Sequence, residues 1–377
     1  MKTLHSGALD VNAGGPALSM SLTLRGLEKA GVSTVALTNP ISSNGKLIDD
    51  KLNVRFTHRQ KYGTLAYVDN IYDCLKEEND VDIYHIHGTW MYHGLAVSRY
   101  AKKAGKPYLV APRGMLYPQA LAHHALFKKL SLQLYQNKIF ADAACVQCTC
   151  MEEMEHYRAL GFKNPVAVLP NPIDINGIVK REIPEKQVLK IGYLGRLHPR
   201  KRVERLIYAF ANLRKELSDC RLVIIGGGDE KYEQFLKDEA RRLNVSNIEF
   251  TGFLTGDEKD QAITDLAYLA VPSDFENFGN IVTEALVRGV PVIASKGMPW
   301  QELEEHHCGW WIDNEQESIN RTILAAITIL QEERVHMGMN GKKLVSTNYS
   351  VEALGLKMAR LYEWILNGGN KPKFVYE

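Results

Sequence analysis

The segment from Tyr268 to Ser295 places the strongest constraint on the fold of this chain. Tyr268 to Val271 is a short apolar run typical of a buried strand, and a polar loop follows it. From Ile281 to Arg288 apolar residues recur at helical spacing, and Gly289 ends that helix. Val290 to Ala294 predicts a second strand. The order strand, loop, helix, strand indicates one repeat of a parallel α/β sheet.

The polar loop of this segment contains a candidate anion site between two glutamates. Glu276 precedes the helix, and Glu284 lies four residues after Asn280, about 6 Å farther along the helix axis. Backbone N–H groups at a helix start bind anions; here they belong to Asn277, Phe278, Gly279 and Asn280. Because a carboxylate only accepts hydrogen bonds, each glutamate requires hydroxyl partners. The ligand that fits this site is an anion with hydroxyl groups on both sides. A nucleoside diphosphate sugar has this arrangement, because its diphosphate lies between the hexose and the ribose.

Two cations precede another predicted helix in the second half of the chain. Leu189 to Leu194 predicts a strand, and Arg196 and Lys201 follow it before a helix that begins near Val203. Beside a helix N-terminus, the planar fork of arginine and the point charge of lysine both suit a diphosphate. These residues predict a site for the diphosphate of the same ligand.

The order of these features resembles a known family. The spacing of Glu276 and Glu284, followed by Gly289-Val-Pro-Val, resembles the signature of the retaining GT-B glycosyltransferases of family GT4. The offset between Arg196 and Lys201 matches the family's cations for the leaving diphosphate. The family usually has glycine after that lysine, whereas this chain has Arg202, so a different turn is expected. The alternative is a surface loop with carboxylates placed by chance.

The resemblance implies an α/β protein with the GT-B fold, in which two Rossmann-like doubly wound domains face each other across a cleft. We expect an acceptor-binding domain at 1–173, a nucleotide-sugar-binding domain at 174–350, and a final helix at 351–377 that crosses back to the first domain. The length of 377 residues fits two domains. A charged, proline-containing run from Lys180 to Lys186 leads into the second.

The first half of the chain contributes further candidates through the same resemblance. Gly14 and Gly15 form a turn before a helix at about 17–30, and the resemblance implies that this turn faces the donor diphosphate. His87 ends a predicted strand that starts near Val81, and the resemblance implies that it reaches the sugar. The alternative for His87 is a structural histidine, which is also the interpretation of His85.

Two more segments carry candidates for the acceptor and the base. Pro112-Arg113-Gly-Met-Leu, after a strand at 108–111, resembles a segment of GT4 enzymes that build exopolysaccharides. Arg113 is therefore a candidate for binding the acceptor, with a structural salt bridge as the alternative. In similar enzymes the backbone near the turn after residue 248 binds the nucleobase. The base-binding candidates are Gly252, Phe253 and Leu254.

The segment from Ala125 to Phe140 is basic, apolar and helical in period. It fits peripheral contact with an anionic membrane, and a solvated face over a core stripe is the alternative. We find no run of eighteen apolar residues and no signal peptide, which predicts a cytoplasmic protein, with the inner face of the plasma membrane as a possible site. A net charge of +2 gives no argument for nucleic-acid binding.

No metal or other cofactor is expected. Cys145 and Cys148 form a Cys-x-x-Cys pair, but no second pair completes a zinc site, so buried reduced thiols are expected. Asp80-Val-Asp82 precedes a strand, whereas ligands bind at the opposite end of a parallel sheet.

The expected function is retaining transfer of a hexose from a nucleotide sugar to a saccharide or lipid-linked saccharide in exopolysaccharide synthesis. UDP-glucose is the first candidate donor and GDP-mannose the second. Glu276 would position the sugar and Glu284 the ribose, while Arg196 and Lys201 stabilise the leaving diphosphate. Two alternatives stay open: a UDP-sugar epimerase of GT-B fold, and a nucleotide-sugar-binding protein without catalysis.

Overall fold

The computed structural model describes residues 1–58, 66–176, 178 and 188–377. These residues form two compact units: the first comprises Met1–Asp174 and Tyr349–Glu377, and the second comprises Ile175–Asn348. The units therefore divide within two residues of the positions expected from the sequence. The predicted connection at 180–186 lies outside the described residues.

The first unit alternates strands and helices along the chain. Its strands are β1 Lys2–Ser6, β2 Ser33–Thr38, β3 Val54–Phe56, β4 Ile83–His87, β5 Tyr108–Ala111, β6 Cys145–Cys148 and β7 Val166–Val168. Its helices are α1 Gly15–Lys29, α2 Ile71–Glu77, α3 Tyr92–Lys103, α4 Pro118–Ala122, α5 Ala125–Ser131, α6 Asn137–Ala141 and α7 Met151–Ala159. A π-helical turn, Leu132–Gln136, joins α5 to α6.

The second unit repeats the same alternation. Its strands are β8 Leu189–Leu194, β9 Cys220–Ile225, β10 Ile248–Gly252, β11 Tyr268–Val271, β12 Val292–Ser295 and β13 Gly309–Ile312. Its helices are α8 Glu204–Asn212, α9 Glu230–Arg242, α10 Gly256–Thr264, α11 Asn280–Val287, α12 Glu302–Glu305, α13 Gln316–Thr328 and α14 Gln331–Asn348. The strand, loop, helix and strand predicted from residue 268 are confirmed as β11, α11 and β12.

The end of the chain belongs to the first unit. Helix α15, Val351–Asn367, begins where the Ser350 side chain accepts a hydrogen bond from the Ala353 N–H. It packs on α1 with the two backbones in contact, because a Cβ at Gly355 would lie 2.1 Å from the Gly26 carbonyl oxygen. The last strand, β14 Val375–Tyr376, pairs antiparallel with β7.

Both sheets are doubly wound, and both reverse their strand order once. Within the described residues, the first sheet has the order β14-β7-β6-β5-β4-β1-β2-β3, and the second has the order β10-β9-β8-β11-β12-β13. Neighbouring strands are parallel except for β14. The order reverses between β1 and β4 in the first unit and between β8 and β11 in the second. Open α/β sheets bind ligands at such switch points, outside the carboxyl ends of the strands.

Each sheet is buried by its own helices. β4, β5, β6 and β11 have no exposed residue, as expected for strands covered on both faces. All six cysteines are buried and free, which confirms the prediction of reduced thiols. No helix among the described residues combines the length and the apolar character required to cross a bilayer.

Candidate active site

The loops that follow β8 and β11 meet in the second unit. Lys201 lies in the first loop and Glu276 in the second, and their side chains form an ion pair between Nζ and Oε1. The Asp274 N–H donates to the Arg200 carbonyl at 2.9 Å, which holds the two loops together. Because β8 and β11 flank the switch point, these loops border the place where such sheets bind ligands. The structure therefore brings together two of the four predicted catalytic residues.

Lys201 is buried, and burial changes its acidity. Desolvation lowers the pKa of its ammonium group to about 7, and the positive charge of Arg200 acts in the same direction. The Glu276 carboxylate opposes this shift because it favours the charged form of lysine. Glu276 is itself fixed, since its Oε1 accepts from Ser273 Oγ at 3.3 Å and its N–H donates to the Gly297 carbonyl at 2.8 Å. A lysine with a pKa near neutrality beside a fixed carboxylate is typical of a functional site.

Arg196 lies two residues after the end of β8, and its side chain is exposed. A Cβ at Gly228 would lie 3.0 Å from Arg196 Cγ, so the glycine turn after β9 packs against this residue. Among the described residues, the Arg196 guanidinium has no hydrogen-bond or ion-pair partner. The structure leaves its charge accessible to a ligand but does not join it to the pair of Lys201 and Glu276.

The residue after Lys201 adopts a backbone conformation that favours glycine. Arg202 has a φ of 52°, in the left-handed region. Its guanidinium forms an ion pair with Asp274 at 2.5 Å and approaches Glu204 at 3.7 Å. These contacts hold an arginine in a conformation that glycine adopts without strain. The left-handed turn is therefore present despite the substitution that led us to expect a different shape.

The N-terminus of α11 has the predicted glycine. Gly279 has a φ of 79°, and a Cβ at this position would lie 2.3 Å from Met298 Cε. Phe278 is buried, and its carbonyl accepts a hydrogen bond from Trp300 Nε1 at 2.5 Å. Asn277 and the first residue of α11 are partly exposed. The loop thus presents polar backbone on one side while its phenylalanine anchors it to the core.

Glu284, the predicted ribose ligand, lies on α11 and has a partner within the unit. Its Oε2 forms an ion pair with Lys259 Nζ of α10 at 2.5 Å. Lys259 was not predicted from the sequence, because α10 carries no motif that points to this contact. A ribose at Glu284 has to share this carboxylate with the lysine.

The base-binding candidates lie at the carboxyl end of β10. Gly252 has a φ of 74°, and its carbonyl accepts from the Gly226 N–H at 2.8 Å. The side chain of Phe253 is 80% exposed, and Leu254 is partly buried. The exposed aromatic ring of Phe253 beside this glycine turn suits stacking against a planar base.

The first unit has its own cavity at the ends of β1, β2, β4 and β5, with a volume of about 330 Å³. His87 and Arg113 line it. Gly14, with a φ of 66°, and Gly15 lie at the start of α1, whose neighbouring residues Ala13 and Pro16 also line the cavity. The predicted residues of the first unit are therefore gathered around one cavity.

Arg113 contacts His87 in this cavity. Its Nη2 donates to His87 Nδ1 at 2.9 Å, and its Nη1 donates to Asn171 Oδ1. Burial lowers the pKa of Arg113 to about 10, so the side chain stays charged at neutral pH. Within the described part of the chain no carboxylate oxygen lies within 4 Å of it, although the nearby Glu153 charge favours the charged form of Arg113 and raises its pKa.

His87 belongs to a buried chain of hydrogen bonds. His87 Nε2 lies 2.9 Å from His5 Nδ1, His5 Nε2 lies 3.2 Å from the Tyr362 hydroxyl, and that hydroxyl lies 2.7 Å from His85 Nδ1. Burial lowers the pKa of His5 to about 3 and keeps the pKa of His85 and His87 well below the ordinary value. All three histidines are therefore neutral. His5 and Tyr362 were not predicted from the sequence, because they lie near opposite ends of the chain.

The three histidines are also the one group among the described residues with the geometry to hold a metal ion. Their candidate ligand nitrogens lie within 4.8 Å of one another. However, His87 accepts a hydrogen bond from the positively charged Arg113, and His5 bonds to His87. A second cation at this place would be repelled by the guanidinium.

Both halves of the chain match families of glycosyltransferases. Residues 177–344 match the family described as glycosyl transferases group 1, and residues 14–172 match the glycosyl transferase 4-like domain. The boundary between the two matches falls where the structure divides into two units.

Curated relatives match parts of the chain. The GDP-mannose-dependent alpha-(1-6)-phosphatidylinositol monomannoside mannosyltransferase of Mycobacterium tuberculosis is 30% identical over 178 residues, which are 44% of this chain and 45% of that protein. The phosphatidyl-myo-inositol mannosyltransferase of Mycobacterium leprae is 24% identical over 315 residues, 78% of this chain and 76% of that protein. The chain thus matches less than half the length of the first relative.

Solved structures match over nearly the full length. HepE from Anabaena, in complex with UDP and glucose, has a TM-score of 0.76 at 18% identity and covers 96% of this chain and 99% of its own. Sucrose-phosphate synthase from Thermosynechococcus elongatus has a TM-score of 0.79 at 18% identity and covers 98% of this chain and 100% of its own. At such identities the likeness shows the fold, which is the predicted GT-B fold. The two domain matches, at 14–172 and 177–344, support a glycosyltransferase of group 1 with this fold.

Proposed function

We propose that the chain is a retaining hexosyltransferase that moves a hexose from a nucleoside diphosphate sugar to a saccharide or lipid-linked saccharide. The observation that carries the proposal is the ion pair of Lys201 with Glu276 next to the N-terminus of α11. A buried cation, a fixed carboxylate and a helix N-terminus together suit a sugar joined to a diphosphate.

The proposed donor replaces the ion pair with two new contacts. In the structure Glu276 neutralises Lys201. When a diphosphate arrives, its oxygens take over the ammonium group, and the Glu276 carboxylate then accepts hydrogen bonds from the sugar hydroxyls. The exposed Arg196 supplies a second positive charge, Glu284 binds the ribose, and Phe253 covers the base.

The proposed reaction proceeds on one face of the sugar. The bond from the anomeric carbon to the diphosphate oxygen breaks, the acceptor oxygen forms its bond from the same face, and the acceptor proton passes to the leaving diphosphate. Lys201 and Arg196 stabilise the charge that develops on that group, which is the usual role of preorganised donors. No carboxylate serves as a covalent nucleophile, and we propose that these cations act without a metal ion.

The two candidate donors are UDP-glucose and GDP-mannose. The resemblance of the Pro112–Leu116 segment to exopolysaccharide enzymes favours UDP-glucose. The relatives named GDP-mannose-dependent mannosyltransferases, which are 30% identical to parts of this chain, favour GDP-mannose. Because backbone hydrogen bonds and stacking on the Phe253 ring both tolerate different bases, these residues do not decide between uracil and guanine.

We also propose that the segment from Ala125 to Phe140 contacts an anionic membrane, where a lipid-linked acceptor resides. Three leucines on one face of this helical segment are exposed: Leu126 by 87%, Leu130 by 55% and Leu134 by 71%. Lys129 and Lys138 are exposed on the same segment, which contains no acidic residue. An apolar ridge flanked by lysines is typical of helices that lie in the membrane interface.

The function is tested by incubating the protein with each donor and an extract of lipid-linked saccharides. Release of the nucleoside diphosphate together with sugar incorporation supports the proposal, and proton NMR of the product reports whether the anomeric configuration is kept. Conversion of the donor sugar without nucleotide release would indicate an epimerase. Binding of the donor without any turnover would indicate a non-catalytic protein. Activity is expected to persist in excess EDTA.

A further inference from the structure

The walls of the cavity in the first unit carry a net positive charge. Of the described residues that line it, Arg113 alone carries a formal charge, and none is acidic. The polar groups on its walls are mainly donors or can act as donors: Ser6, Thr38, Asn39, Thr57 and His93. Its volume of about 330 Å³ lies at the lower end of the range for small-molecule sites.

Arg113 has more donors than the protein satisfies. Its Nη1 and Nη2 each donate one hydrogen bond, to Asn171 and to His87. Its Nε is excluded from solvent and has no hydrogen-bond partner within the described residues. A guanidinium carries five N–H groups, so several remain for a ligand. Buried charges in proteins are normally paired.

The hydrogen-bond chain fixes the direction of every donor near this charge. Arginine can only donate, so His87 Nδ1 accepts and the neutral ring carries its proton on Nε2, which donates to His5. His5 in turn donates to the Tyr362 hydroxyl, and that hydroxyl donates to His85. Both ring nitrogens of His87 are thereby occupied. His87 therefore has no free ring nitrogen for a ligand, whereas the Arg113 guanidinium still has N–H groups to donate.

The nearest acidic group does not neutralise this charge directly. Glu153 is buried close by, but its Oε1 accepts from the Gly114 N–H at 2.5 Å and its Oε2 accepts from Thr149. The carboxylate therefore holds the loop that carries Arg113, and among the described residues it forms no ion pair with the guanidinium.

We propose that this cavity binds a phosphate group carried by the acceptor, with Arg113 as its counter-charge. The inference rests on the proposed transferase function and specifies the acceptor as an anionic, phosphate-bearing saccharide. A tetrahedral phosphate can accept from the guanidinium and from the Asn39 amide N–H groups at the same time. The donor diphosphate is assigned to Lys201 in the other unit, so the two phosphate sites are separate.

The test measures the binding of inorganic phosphate by calorimetry to the full chain, saturated beforehand with UDP or GDP, whichever binds more tightly. The nucleotide fills the site at Lys201, so remaining phosphate binding reports the second site. Arg113→Gln is expected to weaken this binding by about tenfold or more, because hydrogen bonds to charged groups are strong. Arg99→Gln is the matched control, since Arg99 is exposed on α3 of the same unit, and it should leave the binding unchanged.

A second variant does not depend on removing the buried arginine. The Thr57 hydroxyl donates to Asn39 Oδ1 at 2.9 Å, and Asn39→Asp keeps that acceptor while adding a negative charge to the wall. It should weaken phosphate binding severalfold. Equal phosphate binding in Arg113→Gln and the wild-type chain, or no saturable binding in the wild-type chain, would overturn the proposal.

The source of the phosphate is tested separately. If Arg113 bound the donor diphosphate, Arg113→Gln would weaken nucleotide binding as much as phosphate binding, and the acceptor assignment would be wrong. We expect nucleotide affinity to stay unchanged. Because these measurements need no turnover, a chain that binds phosphate through Arg113 yet transfers no sugar would contradict the proposed function alone.

Discussion

Lys201 and Glu276 form an ion pair although 75 positions separate them in the sequence. They meet because β8 and β11 are adjacent in the sheet and carry their loops at the same edge. A single contact therefore joins the cation proposed for the leaving diphosphate to the carboxylate proposed for the sugar.

Removal of the Lys201 charge should slow the chemical step. Lys201→Met is expected to lower kcat by about 100-fold or more, because the loss of one donor to the developing charge typically costs this much. Steady-state kinetics with the identified donor measure the effect. Lys215→Met is the control, since Lys215 is exposed in the connection from α8 to the amino end of β9, at the opposite edge of the sheet from these loops. Wild-type turnover in Lys201→Met would remove this lysine from the mechanism.

The activity should depend on pH through Lys201. Its pKa of about 7 means that the ammonium form predominates below neutral pH and is lost above it. We expect kcat/KM, which reports the free enzyme, to fall as the pH rises above about 7. A bound diphosphate stabilises the ammonium form, so kcat should persist to higher pH.

Lys201→Arg provides the check on this assignment. Arginine keeps its charge throughout this range, so any remaining activity of the variant should lose the alkaline decline. An identical decline in the variant and the wild-type chain would assign the titration to another group.

The left-handed turn at Arg202 should make glycine preferable to alanine. At a φ of 52°, alanine keeps the backbone strain whereas glycine relieves it. The free energy of unfolding should therefore be about 1 kcal/mol higher for Arg202→Gly than for Arg202→Ala. Both variants lose the ion pair with Asp274, which cancels in the comparison. Urea denaturation measures the difference.

The control for this prediction has the opposite sign. Gln234 is exposed in the interior of α9, where glycine should cost about 1 kcal/mol relative to alanine. If the alanine variant were more stable than the glycine variant at both positions, residue 202 would not have the left-handed conformation.

The leucine ridge should govern membrane binding. Replacing Leu126, Leu130 and Leu134 together with glutamine is expected to reduce sedimentation with anionic vesicles by more than about tenfold, because each buried leucine contributes about 1.5–3 kcal/mol. Leu330→Gln serves as the control, since Leu330 is 74% exposed elsewhere. Equal binding to neutral and anionic vesicles would contradict the role of Lys129 and Lys138.

Local patterns in the sequence predicted much of this fold. The apolar runs at 108–111 and 268–271 became strands with the same bounds, because strands buried on both faces are continuous apolar segments. The strand at 189–194 also has the predicted bounds, although Lys190 interrupts its apolar residues. The helix start at Asn280 and the strand start at Ile83 each differ from expectation by one or two residues, as helix and strand ends usually do.

Contacts between distant segments could not be predicted in the same way. Glu284 pairs with Lys259, and His85 bonds to Tyr362. Both partners belong to helices that carry no recognisable motif. The left-handed conformation of Arg202 was also hidden, since nothing in the local sequence shows that Asp274 is close enough to hold an arginine there. Such relationships arise from the winding of the sheet, which brings loop ends together irrespective of their composition.

The most direct test of the central proposal is a crystal structure of the chain with UDP-glucose or GDP-mannose bound. We predict that the diphosphate contacts Lys201 and Arg196 and that Glu276 has exchanged its lysine partner for hydroxyl groups of the hexose. A nucleotide sugar bound elsewhere, with the ion pair of Lys201 and Glu276 intact, would contradict the account.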